Sequence, residues 1–537
     1  MKLNLLFFFF LIINSFPAIA QEILDSSPLP IVVINTQGQI ILDDPRIQAR
    51  MGIITNEDGN RNLLSDPFNE YDGRISIEIR GSSSQLFPKK GYGLETQMPD
   101  GSNRNVSLLG MPKENDWILH GPFSDKSLLR NHLAFSLGAK LGQYTPRTRL
   151  VELILNEDYQ GIYLLMEKIK RDDDRVDIEK LSPTTLSTDS LSGGYIIKLD
   201  KGTGSGAWQG WNSQAGSFFQ YDYPDSEDIN AAQEVYIQSY VDSMEEALFS
   251  PLYQDSEIGY RKFLDEASFI NFILINELSK NVDGYRLSTF FHKERGGKLK
   301  AGPIWDYNLA FGNANYCSGS GTFGWGLNFN QFCPGDGANI NNYWDRLLTD
   351  PAFGKAVGER WADLREGSFH TDSIMSLIDN FQLQMDDAVE RNFDRWPILG
   401  TWIWPNVEVA ASYPGEIQYL KDWIRDRLDW MDQNMPFISK QVLGVYSRPS
   451  ISVYPNPFEN EINLNVTSTI SDELILEVLD LRGKVVRELE IIRESGFTLI
   501  YQWDGKSSNG TDPGSGIYLY RLRKGEILIE NGKLIRK

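Results

Sequence analysis

Two aspartates, Asp283 and Asp306, stand where an acid is a costly choice. Asp283 follows the apolar run FINFILINEL, and Asp306 lies between GPIW and YNLAFG. A carboxylate in apolar and aromatic company needs a partner, a cation or a chemical role. Between the two acids, Leu287 to His292 reads as a strand, Gly296-Gly297 as a turn and KLKAGPIW as a second strand. A hairpin that carries one acid before its first strand and one after its second can bring both to one place. Paired acids are a common way to hold a divalent cation on oxygen ligands.

Upstream, RGSSSQLFPKKGYGLETQ reads as a small-residue turn leading into a strand, with Lys89 and Lys90 at the entrance. Such a turn can point backbone N–H groups at an anion, and a following lysine can neutralise it. An ordinary hairpin with solvated lysines fits the same residues. The run KGTGSGAWQG has phosphate-loop composition but lacks the GK[ST] ending, so it reads as a loop. There is no HExxH and no nucleophile elbow, and the four histidines are scattered. Three readings remain. One is phosphoryl transfer, with two acids for Mg2+ and a lysine for phosphate. Another is glycoside hydrolysis by two carboxylates in an acidic, Trp-rich protein. The third is a non-catalytic binding protein. The lysines and the serine turn favour the first.

The elements that must position these residues fall into two halves. A chain of 537 residues with 41% hydrophobic content and 13 Trp can fill several cores. Its net charge of −21 argues against a nucleic-acid-binding surface. Residues 1–20 combine one lysine, an apolar run and a small-residue ending, the pattern of a signal peptide, and no later run is long enough to span a membrane. In an exported chain Cys317 and Cys333 are expected to form a disulfide around a Gly-rich loop. Strands dominate early: IVVIN, the alternating ISIEIR, RLVELILN and GIYLLMEKI. An apolar stripe predicts a helix over Lys126–Leu141, capped by Ser124 or Asp125. Further helices are predicted over 229–249, 265–280, 343–348, 352–364, 374–393 and 417–431. The expected class is α+β, two-lobed, over residues 21–440. From 441 to 537 the helical patterns give way to short strands with Gly, Asn and Pro turns, the signature of a small β-sandwich.

Five blocks in order, RGSSSQLFPKKGYGLETQ, SDKSLLRNHLAFSLGAKLG, GIYLLMEKIKR, NVDGYRLSTFFHK and GPIWDYNLAFGN, resemble the CotH (spore coat protein H) family of atypical secreted kinases. The resemblance implies a kinase-like bilobal fold that uses ATP with Mg2+ or Mn2+ to phosphorylate Ser or Thr of proteins outside the cytosol. It implies that Arg80, Ser82 and Ser83 belong to a phosphate-covering turn and that Lys89 or Lys90 contacts the phosphates. Asp283 would be the catalytic-loop acid, Asp306 the metal-binding acid with Asn308 and Asp283 as further ligands, and Glu167 would lie near the adenine. The chain departs from the family pattern at Ser288, where an Asn is usual, and at Asn308, where a second acid is usual. VYPNPFENEINL, LDLRGKVV and GSGIYLYRL are similar to the type A sorting domain of the Bacteroidetes type IX secretion system, an Ig-like fold. That likeness implies export to the surface or medium by that machinery. A catalytically inactive adhesin on the same fold is the alternative to a kinase.

Overall fold

The computed structural model describes residues 24–57, 60–202, 209–439, 442, 450–467, 474–495, 498–524 and 527–537. The expected signal peptide and most of the Gly-rich run 201–210 lie outside the described residues.

Seven strands form a closed barrel: β1 (Ile31–Asn35), β2 (Ile47–Ile54), β3 (Tyr71–Arg80), β4 (Gly91–Gln97), β5 (Asp116–His120), β6 (Thr148–Leu155) and β7 (Asp158–Glu167). Their order is β6-β7-β5-β4-β3-β2-β1, and a parallel pairing of β1 with β6 closes the ring. The alternation in the sequence explains the interior. Val32 and Ile34, Met51 and Ile53, Ile75 and Ile77, and Val151 and Leu153 are spaced two apart and share one buried core. On β5 to β7 the alternate residues are apolar too. Ile118, Leu150, Ile162, Leu164 and Met166 belong to the core of the helical half. Both faces are covered, which is why GIYLLMEKI reads as a continuous apolar run.

The helical half contains α1 (Arg130–Ala139), α2 (Ala231–Phe249), α3 (Glu266–Ser279), α4 (Tyr343–Leu348), α5 (Pro351–Arg365), α6 (Thr371–Met385), α7 (Ala388–Arg395) and α8 (Tyr413–Asn434). Buried residues surround α3 on all sides, so its sequence is apolar all round. A five-stranded sheet lies in this half: β8 (Tyr195–Leu199), β9 (Gly210–Asn212), β10 (Phe218–Tyr223), β11 (Thr289–Lys293) and β12 (Leu299–Ala301). Its order is β9-β10-β8-β11-β12. The expected hairpin is β11–β12, with Phe291 opposite Ala301 and Lys293 opposite Leu299.

Two helix boundaries differ from expectation. The helix expected from Lys126 begins at Arg130, because Leu128 takes a left-handed φ of 63°. Asp125 still serves its N-terminus, accepting from the Arg130 backbone N–H at 2.8 Å. The single helix expected over 374–393 is two, α6 and α7, broken at Asp386, where φ is 35°.

Among the described residues the C-terminal unit has eight strands in two four-stranded antiparallel sheets. One holds β13 (Ser450–Tyr454), β14 (Ile462–Thr467), β18 (Thr498–Trp503) and β17 (Ile491–Ser495) in that order. The other holds β16 (Val485–Leu489), β15 (Leu474–Leu479), β19 (Gly516–Lys524) and β20 (Ile527–Arg536). Alternate residues of both sheets, among them Ile462, Leu464, Leu476, Val478, Trp503 and Leu522, share a core of their own. The whole chain is therefore α+β with a β-rich tail.

Candidate active site

A cleft of about 590 Å³ is lined by Asp283, Ser288, Asp306 and Asn308 from the β11–β12 hairpin flanks. It is also lined by Arg80 at the end of β3 and Ser82 to Ser84 after it, by His120 at the end of β5, and by Lys198 in β8 with Asp200 and Lys201 after it. Asp283 and Asp306, 23 residues apart in the chain, thus line one cleft.

The segment around Asp283 is set by α3. The helix ends at Lys280, whose φ of 45° turns the chain sharply. Asn281 then links the two acidic loops: its side-chain oxygen accepts from the Asp283 N–H at 3.2 Å, and its amide donates to the Asp306 carbonyl at 3.1 Å. Gly284 must lack a side chain, because a Cβ there would lie 2.5 Å from the Asn276 side-chain oxygen. Asp306 itself has a φ of 59°. Its position is held by Asn131 on α1, whose oxygen accepts from the Tyr307 N–H at 2.6 Å, and whose amide nitrogen lies 3.1 Å from His120 Nε2. Burial pushes His120 down to about 4, so this imidazole is neutral at ordinary pH and serves as a polar contact.

Burial raises the pKa of Asp283, against the pull of Arg286, whose guanidinium lies 2.9 Å away. Burial, reinforced by the charges of Asp283 and Asp200, pushes Asp306 up to about 7. Among the described residues no Lys or Arg nitrogen lies within 4.0 Å of the Asp306 carboxylate, and no donor bonds it. The Asn308 amide likewise has no bonding partner among them. Partly buried oxygen donors without a protein cation fit a hard divalent ion. They do not form a complete cage. Among the described residues the only three ligand side chains within 4.8 Å of one another are Cys317, Cys333 and Asp336. The two cysteines of that group are joined as a disulfide, with Cα atoms 5.1 Å apart.

Cations face the acids from two sides. Arg80 stacks over the Trp305 ring at 5.6 Å; burial lowers its pKa, while the nearby Asp306 charge opposes the shift. Lys198 is ion-paired to Asp222 at 2.9 Å. Burial works against its charge, but Asp222 outweighs it and holds the pKa above the usual lysine value. Lys198 and Asp200 were missed in the sequence, although a charge inside the apolar strand YIIKLD carries the same signal as Asp306 in GPIWDYN. The register places Leu199 opposite Thr289, so Asp200 arrives beside Ser288.

Three expected site residues lie elsewhere. Lys89 does not line the cleft: its ammonium donates to the Ile162 carbonyl at 2.7 Å and to the Asn392 side-chain oxygen at 2.8 Å, joining the barrel to α7. Lys90 donates to the Gln85 carbonyl at 2.6 Å, and Gln85 in turn donates to the Gly81 carbonyl at 2.7 Å. It braces the serine turn from behind. Glu167 is fully buried and accepts from Tyr144, from the Arg147 N–H and from the Arg147 guanidinium, at 2.9–3.1 Å. Its neighbours Met166 and Lys168 line the cleft and Glu167 does not. In each case the side chain is occupied by the protein itself, which corrects the expected assignment.

The family described as CotH kinase protein matches residues 77–431, and the secretion system C-terminal sorting domain matches residues 452–537. No curated protein matches. Among solved structures, the dimeric latent PorU of Porphyromonas gingivalis is similar at 22% identity, over 16% of this chain and 9% of that one, with a TM-score of 0.15. The twitchin kinase fragment of C. elegans is similar at 10% identity, over 83% of this chain and 89% of that one, with a TM-score of 0.18. Likenesses with TM-scores this low carry no argument about the fold. The sorting domain marks the chain for export through type IX secretion to the cell surface or beyond, and no described helix is long and apolar enough to cross a membrane. By the match to its larger part, the chain belongs to the CotH kinase protein family.

Proposed function

We propose that the chain is a secreted kinase that transfers the γ-phosphoryl group of ATP to Ser or Thr hydroxyls of proteins outside the cytosol. Its barrel and helical half act as the two lobes of a kinase-like fold, and its tail acts as an Ig-like sorting module recognised by the type IX machinery. The observation that carries this reading is the convergence of Asp283 and Asp306 in one cleft with Arg80 and Lys198. Cations opposite the acids favour a phosphate substrate over a neutral sugar.

Asp283 accepts the proton of the acceptor hydroxyl as oxygen attacks phosphorus. Asp306, Asn308 and Asp283 would supply oxygen donors to Mg2+ or Mn2+, which when bound would neutralise phosphate charge. Arg80 and Lys198 bind the phosphate oxygens, each already oriented by a protein contact. The backbone of Ser82 to Ser84, braced by Lys90 through Gln85, covers the phosphates. Met166 and Lys168 line the end of the cleft assigned to the base.

The test incubates the chain with γ-labelled ATP, Mn2+ and dephosphorylated casein. Label transferred by the wild type and lost in Asp283→Asn supports the reading. Equal labelling by both, or none by either, contradicts it. A binding protein without catalysis would keep its ligand when Asp306 is replaced.

A further inference from the structure

The disulfide is flanked by contacts to the cleft on both sides, and on the Cys333 side these reach the Asp283 segment. Arg286, three residues after Asp283, is 2% exposed and makes four polar contacts. Its Nε donates to the Val282 carbonyl at 2.8 Å, and one terminal nitrogen donates to the Asp283 carboxylate at 2.9 Å. The other donates to the Asp336 carboxylate at 2.5 Å and to the Ala338 carbonyl at 3.1 Å. The guanidinium lies 4.0 Å over the Phe329 ring. Asp336 follows Cys333 by three residues, and its carboxylate lies within 4.8 Å of both sulfurs. At the other end, Tyr316 precedes Cys317 and stacks on Trp404, a residue of the cleft wall, at 6.0 Å.

The middle of the loop does not depend on the bridge. Lys280 donates to Ser318, Gly321 and Phe323, Arg427 donates to the Thr322 and Gly324 carbonyls, and Glu277 accepts from the Gly326 and Leu327 N–H groups. The exposed segment from Cys333 to Asn339 is different. It is tied down by the bridge at Cys333, by Arg286 at Asp336 and Ala338, and by the Asn330–Ile340 pair just beyond. This segment lies just outside the loop the bridge closes, and opening the bridge removes its covalent tie at Cys333, leaving it on the Arg286 contacts and the Asn330–Ile340 pair while the middle of the loop keeps all of its own contacts.

We infer that the Cys317–Cys333 bridge and Asp336 act through Arg286 as a redox-dependent positioning device for Asp283. In the oxidised protein Arg286 is shared between Asp336 and Asp283, which keeps the Asp283 carboxylate turned to the cleft. A dithiol reductant supplies two electrons and two protons to the disulfide, giving two thiols and leaving as its own disulfide. Asp336 then swings away, and Arg286 pairs with Asp283 alone and draws it from the acceptor. The inference rests on the reading of Asp283 as the acceptor-activating acid.

The test compares the whole chain oxidised, reduced by dithiothreitol and reoxidised, with casein and ATP as substrates. Reduction should lower kcat at least ~10-fold, the scale of a misplaced catalytic group, with KM for ATP little changed. Reoxidation should restore it. Asp336→Asn should show the same loss while oxidised and no further loss on reduction, and Asp336→Glu should recover part of it. Equal kcat in both redox states, or losses that add, overturns the inference. Amide hydrogen exchange gives a second readout that needs no turnover. Exchange should rise at residues 281–288 on reduction and in oxidised Asp336→Asn, and stay level at 148–167 in the barrel. No rise at 281–288 in that variant overturns the device. A rise together with no transfer in any state upholds the device and sinks the kinase reading instead.

Discussion

In the barrel, away from the cleft lining, three charged side chains end on protein atoms: Lys89 on Ile162 and Asn392, Lys90 on Gln85, Glu167 on Tyr144 and Arg147. Inside the cleft, Asp306 and Asn308 end on nothing described, and Asp306 is pushed up to about 7. The first three are met by the protein; the two cleft groups, only partly buried, are not. A buried charge with a full set of partners is a structural strut. One held without partners destabilises the free protein and is retained where a ligand completes it. In the proposed kinase the chemistry falls to the hairpin flanks, and Lys89 and Lys90 are architectural.

Breaking the contrast should give effects of very different size. Asp283→Asn or Asp306→Ala should lower phosphoryl transfer by ~10²–10⁴-fold, the range for loss of a general base or of a charge-stabilising group. Lys90→Ala, which touches the phosphate-covering turn only through the Gln85 carbonyl, should lose no more than about 3-fold in the same labelled-ATP assay, the scale of one neutral hydrogen bond. Arg80→Gln and Lys198→Met should each weaken ATP binding by about 10–100-fold in calorimetry, as expected for losing a charge-assisted hydrogen bond. Lys89→Met should instead cost about 1–3 kcal/mol of stability by leaving the Ile162 carbonyl without its donor. Urea unfolding measures this, and the folded fraction should keep its turnover.

The smallest effect concerns pH. Asp306 binds its proton more tightly in the fold, at about 7, than at its ordinary value of 3.8. The stability this gives is present in full below about pH 4 and is lost as pH climbs through 7. Without metal, Asp306→Asn should therefore melt ~2–4 °C above wild type at pH 8 and close to it at pH 4.5. Adding Mn2+ at pH 8 should raise the wild type and not the variant.

What the sequence made legible follows from the same contrast. Asp283 and Asp306 were readable because an acid in an apolar run is conspicuous, and the hairpin between them followed from alternation and a Gly-Gly turn. Cys317 and Cys333 needed only their number and an exported context. Lys89 and Lys90 misled because a lysine looks the same in sequence whether its ammonium meets a phosphate or a carbonyl 73 residues away. Glu167 misled for a related reason: strand register put Met166 and Lys168 on the cleft and turned Glu167 to Arg147. Lys198 and Asp200 stayed hidden because their place beside Ser288 comes from a pairing between β8 and β11, ninety residues apart in the chain. The break at Asp386 was hidden by apolar residues that keep helical spacing through α6 and α7. The barrel's closure by β1 and β6 is likewise a long-range pairing with no local signature.

Calorimetric binding of ATP in the presence of Mn2+ tests the central contrast most directly. The account predicts saturable binding by wild type and Lys90→Ala and none by Asp306→Ala. Binding that survives Asp306→Ala and disappears in Lys90→Ala would contradict it.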